Sequence, residues 1–246
     1  MEIFPLSEIP LVGLGDDVGE LLLESCERQR IELEDGDVVV VAQSIVSKAE
    51  GNVMDLTSIE PSSRSKRIAD EIGEDPRKVE VILNQTEEIV RVKHVLISRT
   101  HHGFVCADAG VDSSNVEAGK VTKLPENPDV SAKKIRKRIK EKTGKEVAVI
   151  ISDSWGRPFR LGAVGFAVGV SGMKPLMDLR GRKDIYGVPL ETTIIAPPDS
   201  LAAVASLEMG EANERVPAVL IKGATYEPGE GCISELIRSK EKDLFR

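Results

Sequence analysis

The sequence predicts an α+β fold with mixed α/β sheets, and three observations predict it. Four short apolar runs rich in β-branched residues read as buried strands: 37–42 (DVVVVA), 146–151 (EVAVII), 192–196 (TTIIA) and 217–221 (PAVLI). Capped amphipathic segments between them read as helices. Strands and helices mix without strict alternation, which argues against a doubly wound dinucleotide-binding sheet. At 246 residues and 41% apolar content, the chain can fill one large domain or two lobes.

Taken in order, Asp16 or Asp17 is placed to cap a helix over 20–28, with Val18, Leu21, Leu22 and Cys26 facing inward. Strand 37–42 runs into a polar stretch, 43–51, that reads as a loop. Pro61 introduces a helix that stops at Gly73, and Pro76 opens another in which Val79, Ile82, Leu83 and Thr86 share a face. Weaker strands fall at 94–98 and 103–107. Ser131 is the expected cap of a helix with Ala132, Ile135 and Ile139 inward and Gly144 as its stop. Strand 146–151 should release a second polar loop over 152–160. Asp199 or Ser200 starts a further helix, and 234–243 reads as the last one.

Composition removes several function classes. The 33 basic against 41 acidic residues, for a net charge of −8, argue against nucleic acid as a partner. The basic run 133–142 reads as the solvated face of an amphipathic helix. The uncharged stretch 161–173 is too short for a membrane span and is interrupted by glycines, so no membrane partner is expected. Three cysteines without a CxxC pair, and an N-terminus without a signal-like apolar core, suggest a reduced, cytoplasmic protein.

Standard phosphate-loop, dinucleotide, zincin and serine-hydrolase motifs are absent. What remains is a set of polar clusters that follow apolar strands. They offer hard oxygen ligands, Asp112, Asp153, the Ser154 hydroxyl and Glu211, which suit Mg²⁺ or Mn²⁺. Lys48, Arg157, Arg160, Arg180, Arg182 and Lys183 could clamp phosphates or carboxylates, and Gly156, Gly162 and Gly181 would let backbone N–H groups approach an anion. Metal ligands, cations and glycine turns are the equipment for phosphoryl transfer. Taken singly, Asp153 reads more readily as a turn or cap residue than as a ligand, and the Asp108–Asp112 pair has the same bland reading.

The blocks IPLVGLGDD, GDVVVVAQSIVSKAEG, CADAGVDSSNV, IISDSWGRPFRLGAVGFAVGVSGM, LRGRKDIYG and the late MGE together resemble the coenzyme F-420:L-glutamate ligase family, and they cover nearly the whole chain in order. The resemblance implies one ligase domain over 1–246, two-lobed, in an intertwined homodimer. It also implies GTP-dependent addition of L-glutamate to coenzyme F-420-0, a deazaflavin, through an acyl phosphate, with GDP and phosphate released. Two Mg²⁺ or Mn²⁺ ions and K⁺ are the implied cofactors.

Matched position by position, the resemblance makes Asp112 and Asp153 ligands of one metal, and Ser154 and Glu211 ligands of the second. Lys48 is implied to stabilise charge beside Asp112 and Asp153 as a catalytic group. Leu11, Val12, Gln43, Ser44, Lys48, Asn115, Met209 and Gly210 fall on nucleotide-contacting positions. Trp155, Arg157, Phe159 and Arg160 are candidates for the acceptor, because a flat deazaflavin favours aromatic platforms. The chain departs from the family's usual pattern at three points: Gln43-Ser44 replaces a common Ser-Thr, Ser154 stands where Thr is common, and Trp155 where a polar residue is frequent. Alternative readings are a metal- and nucleotide-dependent glutamyl ligase for another carboxylated pterin- or flavin-like acceptor, and a non-catalytic nucleotide-binding protein of the same fold.

Overall fold

The computed structural model describes residues 1–243. Its centre is a five-stranded mixed sheet in the order β1 (Glu2–Leu6), β12 (Ala218–Lys222), β2 (Val38–Ala42), β8 (Ala148–Arg157) and β9 (Arg160–Ser171). β2 and β8 pair in parallel, with Ala42 opposite Ser152, and the other three pairings are antiparallel. The β-branched runs form these strands because both faces are covered. Val38, Val40, Ile150, Ile151, Leu220 and Ile221 are all fully buried. Each such side chain contributes about 1.5–3 kcal/mol, whereas exposed ion pairs contribute about 0–1 kcal/mol. The sheet is therefore held by aliphatic packing.

Helices pack on the sheet through sites where a side chain would not fit. α5 (Pro128–Thr143) and α6 (Pro197–Met209) both cross β9. A Cβ on Gly169 would run into Pro128, and one on Gly165 into the Ala202 carbonyl. α1 (Val18–Gln29) is capped by Asp17, which accepts from the Glu20 N–H, and it packs against α5. The basic face of α5 is matched by carboxylates: Arg138 pairs with Asp17 at 2.7 Å and Lys142 with Glu20 at 3.0 Å.

A second cluster of buried residues, including Leu56, Val81, Ile82, Leu96 and Val121, lies under smaller elements. These are β3 (Val53–Asp55) paired with β7 (Lys120–Thr122), and the three-stranded sheet β4 (Thr86–Val92), β5 (Leu96–Thr100) and β6 (Val105–Ala107). α3 (Ser63–Ile72) and α4 (Pro76–Asn84) flank them, with Ser62 and Asp75 as N-caps and Gly73 ending α3 in a left-handed conformation. Among the described residues no helix is long and apolar enough to cross a membrane.

Several expectations need correction. The stretch 43–51 is mostly helical: α2 (Gln43–Ala49) starts directly off β2. The expected loop 152–160 is the hairpin joining β8 to β9, since antiparallel pairing with 160–171 continues the strand beyond the buried run. Only Ile194–Ile195 of 192–196 forms a strand, β11. It pairs with β10 (Met177–Asp178) in a half-exposed ribbon away from the central sheet.

α5 begins earlier than expected. Asn127 caps it through the Val130 N–H, Pro128 takes the first position, and Ser131 lies inside, donating to Glu50. α6 opens at Pro197, and the Asp199 carboxylate instead accepts from the Ala167 N–H. Thr86 belongs to β4. The expected last helix at 234–243 is two short 3₁₀ turns, Ile233–Leu236 and Lys240–Lys242.

The crossing at Gly169 makes a stability prediction. Gly169→Ala should cost about 1–3 kcal/mol in urea unfolding through overpacking. Gly156→Ala, with open space around its Cβ position, should stay within about 0.5 kcal/mol.

Candidate functional site

The parallel pairing of β2 and β8 places the carboxyl ends of two central strands side by side, and a cleft of about 510 Å³ opens there. Each wall is a segment leaving the sheet or facing it. The turn before α1 contributes Leu11 and Val12, the first two turns of α2 contribute Gln43, Ser44 and Lys48, and the segment before β7 contributes Asp112 and Asn115. β8 contributes Asp153 and Ser154, and the end of α6 contributes Met209, Gly210 and Glu211. The structure thus gathers into one cleft every position expected to touch nucleotide or metal.

Asp153 is the electrostatic centre. It keeps some surface toward the cleft, but protein surrounds it otherwise, and this burial pushes its carboxyl up to about 7. The Ser154 N–H, donating at 2.9 Å, opposes the shift, while the charges of Asp112 and Glu211 add to it. The Trp155 indole pulls weakly the other way without forming an aligned hydrogen bond.

Asp112 is held by an Asx turn: its Oδ1 accepts from the Ser114 N–H at 2.9 Å and the Ser114 hydroxyl at 2.8 Å. The Ser154 hydroxyl donates to Glu211 at 2.9 Å. Across the cleft, the Lys48 ammonium donates to the Asn115 carbonyl at 2.6 Å, and Asn115 adopts a left-handed φ of 54°. Burial lowers the Lys48 pKa, and the Asp112 charge partly restores it. Gln43 spends its side-chain oxygen inside the protein, accepting from Ser47 at 2.9 Å.

Among the described residues no group of three His, Cys, Asp or Glu side chains could hold a metal ion unaided. The donor chemistry nevertheless fits a hard divalent cation. Asp112 and Glu211 both raise the energy of a charged Asp153, and among the described residues no cationic side chain pairs with Asp153 to offset them. A cation would complete its shell from the Ser154 hydroxyl and from oxygens of bound phosphate or water.

Four expected acceptor residues lie elsewhere. Trp155 faces a separate aromatic cavity, and Arg157, Phe159 and Arg160 sit at the β8–β9 hairpin end, where Phe159 is 90% exposed. Of the expected cationic clamps, only Lys48 reaches the cleft. Arg180 pairs with Asp178, and Arg182 and Lys183 lie in an exposed segment. Sequence reasoning overlooked Ser114 and Arg215, which also line it. The Asp-Ser-Ser spacing signals the first. The second sits at a φ of 59° in the turn after α6, which no local pattern announces.

Residues 7–223 match the model of the F-420-0:gamma-glutamyl ligase family. The coenzyme F-420:L-glutamate ligase of Methanothermobacter thermautotrophicus is 51% identical over 241 residues, covering 97% of this chain and 96% of that protein. The protein of the same name from Methanocaldococcus jannaschii is 52% identical over 242 residues, covering 97% and 94%. Its counterpart from Archaeoglobus fulgidus is 45% identical over 246 residues, covering 100% and 96%.

Because Asp153 is buried among like charges, Asp153→Asn should raise the thermal midpoint in chelator-containing buffer, as read by scanning calorimetry. A lowered midpoint would show that the carboxylate serves the fold itself.

Proposed function

The chain belongs to the F-420-0:gamma-glutamyl ligase family, and on that premise we propose that it joins L-glutamate to coenzyme F-420-0 at the expense of GTP. The observation that carries this reading is the convergence, in one cleft, of carboxylates, a half-buried lysine and two turns able to seat a nucleotide. The relatives' shared name, which couples coenzyme F-420 with L-glutamate, supports the choice of substrates.

The reaction divides into two steps. A carboxylate oxygen of F-420-0 attacks the γ-phosphorus of GTP, forming an acyl phosphate and releasing GDP. The α-amine of glutamate then attacks the acyl carbon, the C–O bond to phosphate breaks, and an amide and inorganic phosphate result. A second round would extend the tail through a γ-linkage. Asp112, Asp153, Ser154 and Glu211 would hold the two Mg²⁺ or Mn²⁺ ions, which when bound neutralise charge on the phosphates.

The chain's own residues supply the rest. Lys48, anchored on the Asn115 carbonyl, aims a positive charge at the side of the cleft where phosphate charge develops. Leu11 and Val12 offer an apolar edge to a base, while Gln43, Ser44 and the 209–210 turn border the nucleotide. The walls limit water access to the acyl phosphate, which protects it from hydrolysis before the amine arrives. K⁺ belongs to the same proposal as a further cation, and a cytoplasmic setting suits the soluble substrates.

Homodimerisation is part of this reading. Phe159 and Leu161 on the β8–β9 hairpin are 90% and 98% exposed, and Ile185 and Tyr186 are 91% and 85% exposed. Exposed apolar side chains of this size, at a hairpin end and on the turn at 184–187, suit burial against a second copy. Leu161→Glu should then shift the mass measured by light scattering from two chains to one, and an unchanged mass would exclude the hairpin from the contact.

Incubation with F-420-0, glutamate, GTP and Mn²⁺ should give products heavier by one or more glutamyl units, with GDP formed only when all substrates are present. GTP turnover without glutamate incorporation contradicts the proposal. Lys48→Met should lower kcat by about 10²–10³, and Asp153→Asn should weaken Mn²⁺ binding by about tenfold or more in titration calorimetry.

A further inference from the structure

The chain has few aromatic residues, five Phe, two Tyr and one Trp, yet three of them meet at one place. Trp155 lies edge-on to Phe104, with ring centroids 5.4 Å apart, and tilted on Phe166 at 5.5 Å. His102 stacks on the far side of Phe104 at 5.7 Å. Phe104 is part of the main core and Trp155 packs on its edge, but the cluster is not closed. It borders a cavity of about 220 Å³, completed by Leu236, Ile237 and Arg238 from the C-terminal turns.

The cavity and the cleft share one floor. Asp153 pairs in register with Phe166, and Ser154 with Gly165. Asp153, Ser154 and Gly165 line the cleft, whereas Trp155, Phe166 and Ala167 line the cavity. Trp155 follows Asp153 by two residues, about 7 Å along a strand and on the same face. Its indole is close enough to influence the Asp153 carboxyl. A molecule with an aromatic end and an anionic tail could therefore occupy both spaces at once.

Size and chemistry select the occupant. At about 220 Å³ the cavity is small beside the roughly 300–1,000 Å³ of pockets that enclose whole drug-sized ligands, so it suits a ring system alone. Aromatic walls favour a flat π-system. Arg238 lines the edge together with Asp199 and Asp243, so the lining carries no net positive charge and the cavity suits the ring rather than the anionic tail.

We propose that the cavity bordered by Phe104, Trp155, Phe166 and Leu236 is the subsite for the planar ring of the acceptor, with the acceptor's tail running along β8 to present its carboxylate at Asp153. This assignment rests on the ligase reading for its choice of ring. It moves the aromatic platform away from Phe159, which stands exposed at the hairpin end. Trp155 becomes a specificity residue that separates the ring's space from that of the phosphates.

The test compares wild type with Trp155→Leu and, as a variant at the cavity edge that spares the aromatic cluster, Leu236→Gln. Michaelis constants are measured for F-420-0, GTP and glutamate. Both variants should raise the KM for F-420-0 by about tenfold, with KM for GTP and glutamate unchanged, the pattern of lost uniform binding to one substrate. A ring-only probe, the deazaflavin ribitol lacking phosphate and carboxylate, should bind wild type by equilibrium dialysis, compete with F-420-0 and ignore GTP. Its affinity should fall about tenfold in both variants.

An unchanged KM for F-420-0 in both variants, or displacement of the ring probe by GTP, overturns the assignment. If wild type fails to glutamylate F-420-0 but binds the ring probe in a variant-sensitive way, the ligase reading fails while the ring subsite stands.

Discussion

The site depends on one backbone constraint, the parallel pairing of β2 with β8. Parallel strands end at the same edge of a sheet, so Ala42 and Ser152 stand opposite each other with both chains still running outward. One chain turns at once into α2 and carries Lys48, while the other continues as β8 and carries Asp153 and Ser154. Antiparallel pairing of these two strands would send the two groups to opposite edges. The crevice outside the carboxyl ends of parallel strands is a recurrent ligand position in α/β sheets for this reason. Here one parallel pair inside an otherwise antiparallel sheet is sufficient.

Aliphatic packing makes the arrangement rigid, and electrostatics make it reactive. The fully buried runs of β2, β8 and β12 fix the strand ends. The close crossings of α5 and α6 at Gly169 and Gly165 fix β9 against β8. On this frame the protein keeps Asp153 surrounded by protein and by like charges, with the Ser154 N–H as its direct hydrogen-bond donor. Such a group is costly in isolation and would become favourable beside a cation, which is the role the proposed function gives it.

Much of this was legible in the sequence, for identifiable reasons. Buried strands in a mixed sheet have no polar face, so DVVVVA, EVAVII and PAVLI announce themselves, and helices such as α1 and α3 follow from Asp17, Pro61 and Gly73. The twelve positions expected to touch nucleotide or metal come from the family blocks, and the structure places all twelve along one cleft. Two of the failures share a cause: long-range pairing overrode local pattern. Polar residues 152–157 continue a strand because 160–171 pairs with them, and the apolar pair Ile194–Ile195 is left half-exposed because its partner is a two-residue ribbon. The aromatic cavity was hidden for the same reason, since Trp155 and Phe166 meet through the β8–β9 register and Phe104, from the segment before β6, packs on Trp155 from another sheet.

The central claim is that this cleft activates a carboxylate by phosphorylation and passes the acyl group to an amine. The most direct measurement uses F-420-0 labelled with ¹⁸O in its terminal carboxylate, with mass analysis of the inorganic phosphate released during glutamate addition. One ¹⁸O atom per phosphate is predicted, because the attacking carboxylate oxygen leaves with the phosphoryl group when the C–O bond breaks. Unlabelled phosphate accompanying glutamylated product would contradict the account.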